Sequence, residues 1–180
     1  MTFVIRPARD EDREAILEQT WLLNRHEEPI VGNRRLDRAG AEETLARGEA
    51  RVAKTNGAKL VAEREGEVVG HLFLTFETAP VYVREALRPY AYIDELYVRE
   101  RCRGQGIGQA LMAEAERTAV ARGYRQLLVG VQTGNAPAEA AYARFGFVPF
   151  SLELIKRIGD AASPEDGAPE DGAPESGGSR

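Results

Sequence analysis

The sequence predicts an α/β chain of mixed strands and helices in one domain, and three observations predict it. An alternating strand, Tyr92 to Val98, runs through a glycine-rich turn into a helical segment beginning near Gln109. Two apolar runs, Lys59 to Glu65 and Glu67 to Phe76, meet at Gly66 and read as an antiparallel hairpin. A further strand, Gln126 to Val131, leads into a helix that starts at Asn135. At 180 residues the chain suits a single domain that can bury one sizeable core without a metal or disulfides.

Taken in order, Phe3 to Ala8 is a first strand, its end marked by Pro7. Asp10 is the expected N-cap of a helix carrying Ala15, Ile16, Gln19, Thr20, Leu22 and Leu23, with Glu11, Asp12 and Glu14 in a first turn where the dipole favours acids. That helix is expected to fray over Arg25 to Glu28 and to stop at Pro29. Gly32-Asn33 signals a turn, and Leu36 to Ala46 reads as a weaker helix. In the hairpin, His71 sits within the strand alternation, where a lone histidine is ordinarily packed or solvated. His26 is the only other histidine, so no metal-ligand cluster is expected. Glu77 to Pro89 breaks the pattern and reads as a pocket wall or a subunit contact. After the glycine turn, Ile107, Leu111, Ala115, Thr118 and Ala119 share the packed face of a helix that Gly123 closes. Two last strands, Phe147 to Phe150 and Ser151 to Arg157, complete a domain over residues 1–158.

From Gly159 to Arg180 apolar side chains give way to a Pro-Glu-Asp-Gly-Ala repeat, which cannot offset the entropy of ordering and is expected to be a disordered tail. Five acids against one base between Ser163 and Arg180 account for −4 of the net charge of −5, leaving the body near −1. Such a body gives no electrostatic case for nucleic acid or an anionic membrane. Cys102 is the only cysteine, the N-terminal apolar run is too short for a signal peptide, and no apolar run is long enough to span a bilayer. The expectation is a soluble cytoplasmic protein.

Arg103-Gly104-Gln105-Gly106-Ile107-Gly108 lies where the strand hands over to the helix. Its glycines allow close approach of backbone to ligand, and the helix behind it offers free N–H groups and a positive dipole end, which together suit a phosphate or pyrophosphate. A dinucleotide fingerprint would need a glycine where Gln109 stands, and a Walker A loop would need Gly-Lys-Ser/Thr, which is absent; this disfavours a nucleotide-binding reading. The loop instead has the form R-x-x-G-x-G after a strand carrying Asp94 and Glu95. Downstream, Asn135 opens a helix that holds Tyr142 and ends at Arg144-Phe145-Gly146-Phe147. In both segments, and in their order, the chain resembles the GNAT superfamily of acyl-CoA N-acyltransferases from about Phe3 to Arg157.

The resemblance implies a mostly antiparallel sheet of six to seven strands flanked by about four helices, with splayed central strands. It implies an acetyl-CoA-dependent N-acetyltransferase acting on a primary amine of a small molecule, an amino acid or a peptide N-terminus, in a ternary complex and without a metal. Arg103, Gly104, Gln105, Gly106, Ile107, Gly108 and Gln109 would hold the pyrophosphate of the coenzyme, Leu96, Tyr97 and Val98 would pair with its pantetheine arm, and Asn135 would look into the same cleft. Tyr142 would protonate the departing sulfur, while Asp94 or Glu95 would serve as base. Neighbours on a strand point to opposite faces unless a bulge intervenes, so the choice between the two acids stays open. The region between the first two helices lines the acceptor pocket in the superfamily, which makes Trp21, His26, Glu27, Glu28 and Arg34 candidates to face substrate. Members commonly dimerise, so a homodimer is the assembly the resemblance suggests. A non-catalytic acyl-CoA-binding or regulatory module on the same fold is the alternative, since fold does not fix function.

Overall fold

The computed structural model describes residues 2–158. Five strands, Val4–Pro7 (β1), Ala58–Arg64 (β2), Glu67–Thr78 (β3), Pro89–Val98 (β4) and Leu127–Val129 (β5), form one sheet in the order β1-β2-β3-β4-β5. The first four are antiparallel to their neighbours, and β5 runs parallel to β4. Four α-helices, Arg13–Val31 (α1), Arg38–Lys54 (α2), Ile107–Ala121 (α3) and Ala136–Phe145 (α4), accompany them. The expected six to seven strands are thus corrected to five among the described residues. Residues 147–158 form no strand. Pro149 sits in the middle of the first expected one, where it has no N–H to give a ladder. Residues 2–148 make one compact unit; of the second, residues 149–158 are described and carry no helix or strand. The expected tail, 159–180, lies outside the described residues.

Local chemistry explains the central hairpin. Glu65 (φ 54°) and Gly66 (φ 81°) both take left-handed backbone, the pair that a two-residue hairpin turn with the right twist requires. β3 is buried on both faces because helices cover both. On one side Leu72 and Leu74 join Ile107, Leu111 and Met112 of α3. On the other, Phe73 and Val61 join Ile16 and Leu17 of α1 and Leu45 of α2. Successive side chains on β3 therefore serve two separate cores, and His71 shares the α1 side with Phe73.

The first two helices depart from the sequence-derived boundaries. Pro29 lies inside α1, which continues to Val31 and stops at Gly32, whose left-handed φ of 64° lets its N–H reach the Glu28 carbonyl at 2.8 Å. A proline this close to a helix end removes one intrahelical hydrogen bond without preventing the last turn. At the other end Asp10 makes no side-chain cap, and Asp12 is the acid that is used. Its carboxylate accepts from the Arg9 N–H at 2.7 Å and from the Arg6 guanidinium at 2.7 and 2.9 Å, and Arg6 also bonds Glu63 of β2 at 2.6 Å. α2 runs eight residues beyond the expected Ala46, to Lys54, with Asp37 capping it through the Gly40 N–H at 2.7 Å. Gly40 and Gly48 weaken its helical signal, yet a Cβ on Gly48 would stand 3.0 Å from the Phe73 ring, so the glycine is what lets α2 approach β3.

The Arg6–Asp12 bond holds the Asp12 carboxyl below the usual carboxylate range. A depressed folded-state pKa contributes stability that is present above the unfolded carboxylate value and is lost as pH falls through the folded value. Asp12→Asn is therefore expected to destabilise the fold by about 1.5–3 kcal/mol at neutral pH, with the difference from wild type shrinking in acid, as measured by urea unfolding across pH.

Two irregularities shape β4. It pairs with β5 only through Ala91, Tyr92 and Ile93, so from Asp94 to Val98 it has a sheet neighbour on one side alone. The resemblance implied splayed central strands; the pairing between β4 and β5 ends at Ile93 and Val129, where β5 itself ends. Against β3, Phe73 faces Glu95 while Leu74 faces Ile93, which leaves Asp94 as the extra residue of a β-bulge.

Candidate active site

Beside β4, beyond the end of its pairing with β5, lies a cleft of about 660 Å³, floored by β4 and walled by the N-terminal turn of α3, by α4 and by part of α1. The glycine loop forms one end. Gly104 (φ 74°) and Gly106 (φ 83°) need the left-handed region, and Gly106 is the N-cap of α3, so the free N–H groups of the first turn face this end of the cleft. Gly108 is not at positive φ. Its absent side chain keeps the surface low, with Val98 as the nearest atom to an added Cβ at 3.9 Å. Arg103 is pinned at the rim, where its Nε donates to the Val98 carbonyl at 3.1 Å and its guanidinium lies 5.6 Å from the Tyr97 ring centroid. Its remaining N–H groups can meet an anion.

Of the residues expected to hold the coenzyme, Leu96, Tyr97, Val98, Arg103, Gly104, Gly106, Ile107, Gly108, Gln109 and Asn135 line this cleft. Gln105 does not: its amide is tied to the Arg101 carbonyl at 3.1 Å and to Arg64 at 2.9 Å. Asn135 is the N-cap of α4, accepting from the Ala138 N–H at 3.3 Å, and Gln109 donates to the Ala141 carbonyl at 3.1 Å, which binds α3 to α4. Both side chains thus shape the wall as well as face the cleft.

Tyr142 sits on α4 with its ring edge-on to Phe147, 5.9 Å between centroids. Burial, with smaller contributions from nearby Glu27 and Tyr92, pushes its hydroxyl up to about 12. It therefore keeps its proton throughout the neutral range.

The bulge allows Asp94 and Glu95, though adjacent on a strand, to line the same cleft. Their surroundings differ. Asp94 is ion-paired with Arg51 of α2, which also bonds Glu77 at 3.0 Å; burial nonetheless raises the Asp94 pKa, with Arg51 opposing. Glu95 is almost wholly enclosed. Its Oε1 accepts from the Thr20 hydroxyl at 2.6 Å and lies 2.8 Å from Nε2 of His71. Desolvation opposes its ionisation, but these two partners outweigh it and hold the carboxyl below its ordinary range. Oε2 bonds to no described residue, and no enclosed side-chain oxygen or nitrogen among the described residues lacks a partner, so Oε2 is the atom that Glu95 exposes to the cleft.

Of the residues expected to face substrate, His26 and Glu27 of α1 line the cleft, together with Leu23. Trp21, Glu28 and Arg34 do not. Trp21 Nε1 donates to the Leu36 carbonyl at 2.7 Å, and Arg34 bonds Glu27 at 2.8 Å while giving its own N–H to Glu28. Residues 79–88 also stand outside the lining, so the loop is no wall of this cleft. Sequence reasoning missed Thr20 and Gln19 as parts of the site and gave His71 no role. All three are fully enclosed, and their partners lie far away in the chain.

Comparison with known proteins identifies the family and similar folds. Residues 11–147 match the model of the acetyltransferase (GNAT) family. A mycothiol acetyltransferase of Streptomyces bingchenggensis is 34% identical over 100 residues, 54% of this chain and 29% of that protein. A Bacillus subtilis protein provisionally named a phosphinothricin acetyltransferase is 35% identical over 92 residues, 51% of this chain and 54% of that protein. The chain thus matches about half or less of these relatives' own lengths. A Pyrococcus furiosus structure provisionally named an acetyl transferase superposes with a TM-score of 0.67 at 26% identity, covering 87% of this chain and all of that one.

Proposed function

The chain belongs to the acetyltransferase (GNAT) family, and from that membership we propose that it moves an acetyl group from acetyl-CoA to a primary amine by direct attack within one cleft. The observation that carries the reading is the single cleft beside β4, beyond the end of its pairing with β5. It has the glycine-rich loop at one end and is lined also by Glu95 and Tyr142, which supports the reading. Acetyl-CoA supplies the reactive thioester.

The protein's own groups do the rest. N–H groups at the start of α3, with Arg103, bind the pyrophosphate. The edge of β4 from Leu96 to Val98, which has no strand beside it, takes the amide-bearing arm as an added strand would, and a backbone N–H near Val98 polarises the thioester carbonyl. Glu95 removes the proton from the incoming ammonium, so that the freed nitrogen lone pair attacks the carbonyl carbon as the C–S bond breaks. Tyr142 donates to the sulfur as negative charge gathers there. Asp94, already matched to Arg51, holds α2 against β4 and does not take the proton.

A thiol-release assay with acetyl-CoA and a panel of primary amines, namely small molecules, amino acids and peptides, tests the proposal. Amine-dependent release of free coenzyme A thiol is expected for at least one class. Tight binding of acetyl-CoA with no release in any amine would instead favour a non-catalytic acyl-CoA-binding module.

A further inference from the structure

Behind the proposed base lies a buried chain of polar groups that the mechanism above leaves unused. His71, in the middle of β3, has no solvent exposure, and neither has Gln19 on α1. The Gln19 amide orientation is fixed: Nε2 donates to the Val68 carbonyl at 2.8 Å, which can only accept, so Oε1 faces His71 Nδ1 at 2.8 Å. An amide oxygen likewise only accepts, so the hydrogen of the neutral imidazole must be on Nδ1. That leaves the Nε2 lone pair pointing at Oε1 of Glu95, 2.8 Å away. Two lone pairs repel at that distance, and the contact holds only if one proton lies between them.

We propose that His71 and Glu95 are one proton-holding unit, that Gln19 fixes its tautomer, and that Oε2 of Glu95 is its port to the acceptor amine. His71 and Gln19 are positioning residues here, and the inference rests on Glu95 being the base. The step balances. With the unit unloaded, as carboxylate and neutral imidazole, an acceptor ammonium loses a proton to Oε2 and keeps the N–H bonding pair as its lone pair. Rotation about the last torsion of Glu95, which is broad and two-fold, carries the proton round to the Nε2 contact. The charge of the unit goes from −1 to zero, and the proton leaves later to solvent through the same port. In the unloaded state the two lone pairs repel, and uptake of one proton by the pair relieves that repulsion; this is distinct from ionisation of the carboxyl beside a protonated imidazole, which lies below its ordinary range. The other groups packed around it leave that unit intact. Thr20 of α1 donates to Oε1, the Tyr97 ring lies 6.4 Å from the imidazole, Asp94 is matched by Arg51, and Arg99 shares the Val68 carbonyl with Gln19.

The test combines pH profiles with spectra of the whole chain. For wild type, the acid limb of the kcat/KM profile is expected to coincide with titration of His71 Nε2, followed by ¹⁵N shifts with His26, the only other histidine, assigned through His26→Gln. Nδ1 is expected to stay protonated across that range. In His71→Gln and in Gln19→Leu the acid limb is expected to move by about one pH unit or more, with KM for acetyl-CoA unchanged, a displacement that a purely structural role would not produce. An unmoved limb in an active His71→Gln chain overturns the proposal, as does a wild-type Nε2 that does not titrate with the limb. If His71→Gln does not fold, the wild-type spectra decide alone. Glu95→Gln separates the two readings: undiminished turnover in that variant removes Glu95 as base, whereas lost turnover with an unmoved His71→Gln limb removes only the unit.

Discussion

Glu95→Gln is expected to lower kcat/KM for the amine by about 10²–10⁴-fold, the usual loss when a general base is removed, and to leave the affinity for acetyl-CoA unchanged. The substitution is nearly neutral for the fold for a specific reason. A glutamine whose amide nitrogen takes the place of Oε1 can donate one N–H to Nε2 of His71, which accepts it in the tautomer set by Gln19, and the other to the Thr20 hydroxyl, which turns from donor to acceptor. What it cannot do is take a proton from an ammonium. Asp94→Asn makes the matched comparison. Asp94 is held by Arg51, so its loss is expected to appear first as a lower unfolding midpoint and only weakly in turnover. Stopped turnover in Asp94→Asn beside a normal Glu95→Gln would reverse the assignment. Steady-state kinetics and urea unfolding of the two variants read both outcomes.

Tyr142→Phe is expected to lower kcat on the order of 10²-fold with little change in the binding of acetyl-CoA. The ring and its edge-on contact with Phe147 remain, and only the hydroxyl is lost. The pH dependence follows from the raised pKa. A hydroxyl that titrates at about 12 is protonated, and so able to donate, throughout the neutral and mildly alkaline range, and it loses that ability only as pH rises through that value. The alkaline side of the wild-type profile should therefore show no tyrosine limb below pH 10, about two units short of that value. Unchanged kcat in Tyr142→Phe would rule out the acid role.

Much of this site could be read from the chain because its signals are local. Positive φ at Gly104 and Gly106 needs glycine, and glycines are visible in sequence; the Glu65-Gly66 turn is legible for the same reason. Asn135 and Tyr142 lie on one short helix, so their spacing alone places both at the cleft. The features that escaped are the ones set by distant partners. His71 reads as an ordinary buried strand residue until Gln19, 52 positions away, and Glu95, 24 positions away, are brought to its two nitrogens. The bulge at Asp94 comes from register against β3 and leaves no mark in its own neighbours. α2 looked short because Gly40 and Gly48 weaken its helix propensity, and only contact with Phe73 explains the second of them. Two expected strands after Phe147 are not formed in residues 147–158, since alternation alone cannot supply a partner to pair with.

Calorimetric titration of acetyl-CoA into wild type and Arg103→Ala bears most directly on the central claim, that the loop at the start of α3 grips the coenzyme's pyrophosphate. Wild type is expected to bind, and Arg103→Ala to bind more weakly by about 1.5–3 kcal/mol, the contribution of a charge-assisted hydrogen bond to phosphate. Equal affinity in the two proteins, or no binding of acetyl-CoA to either, would contradict it.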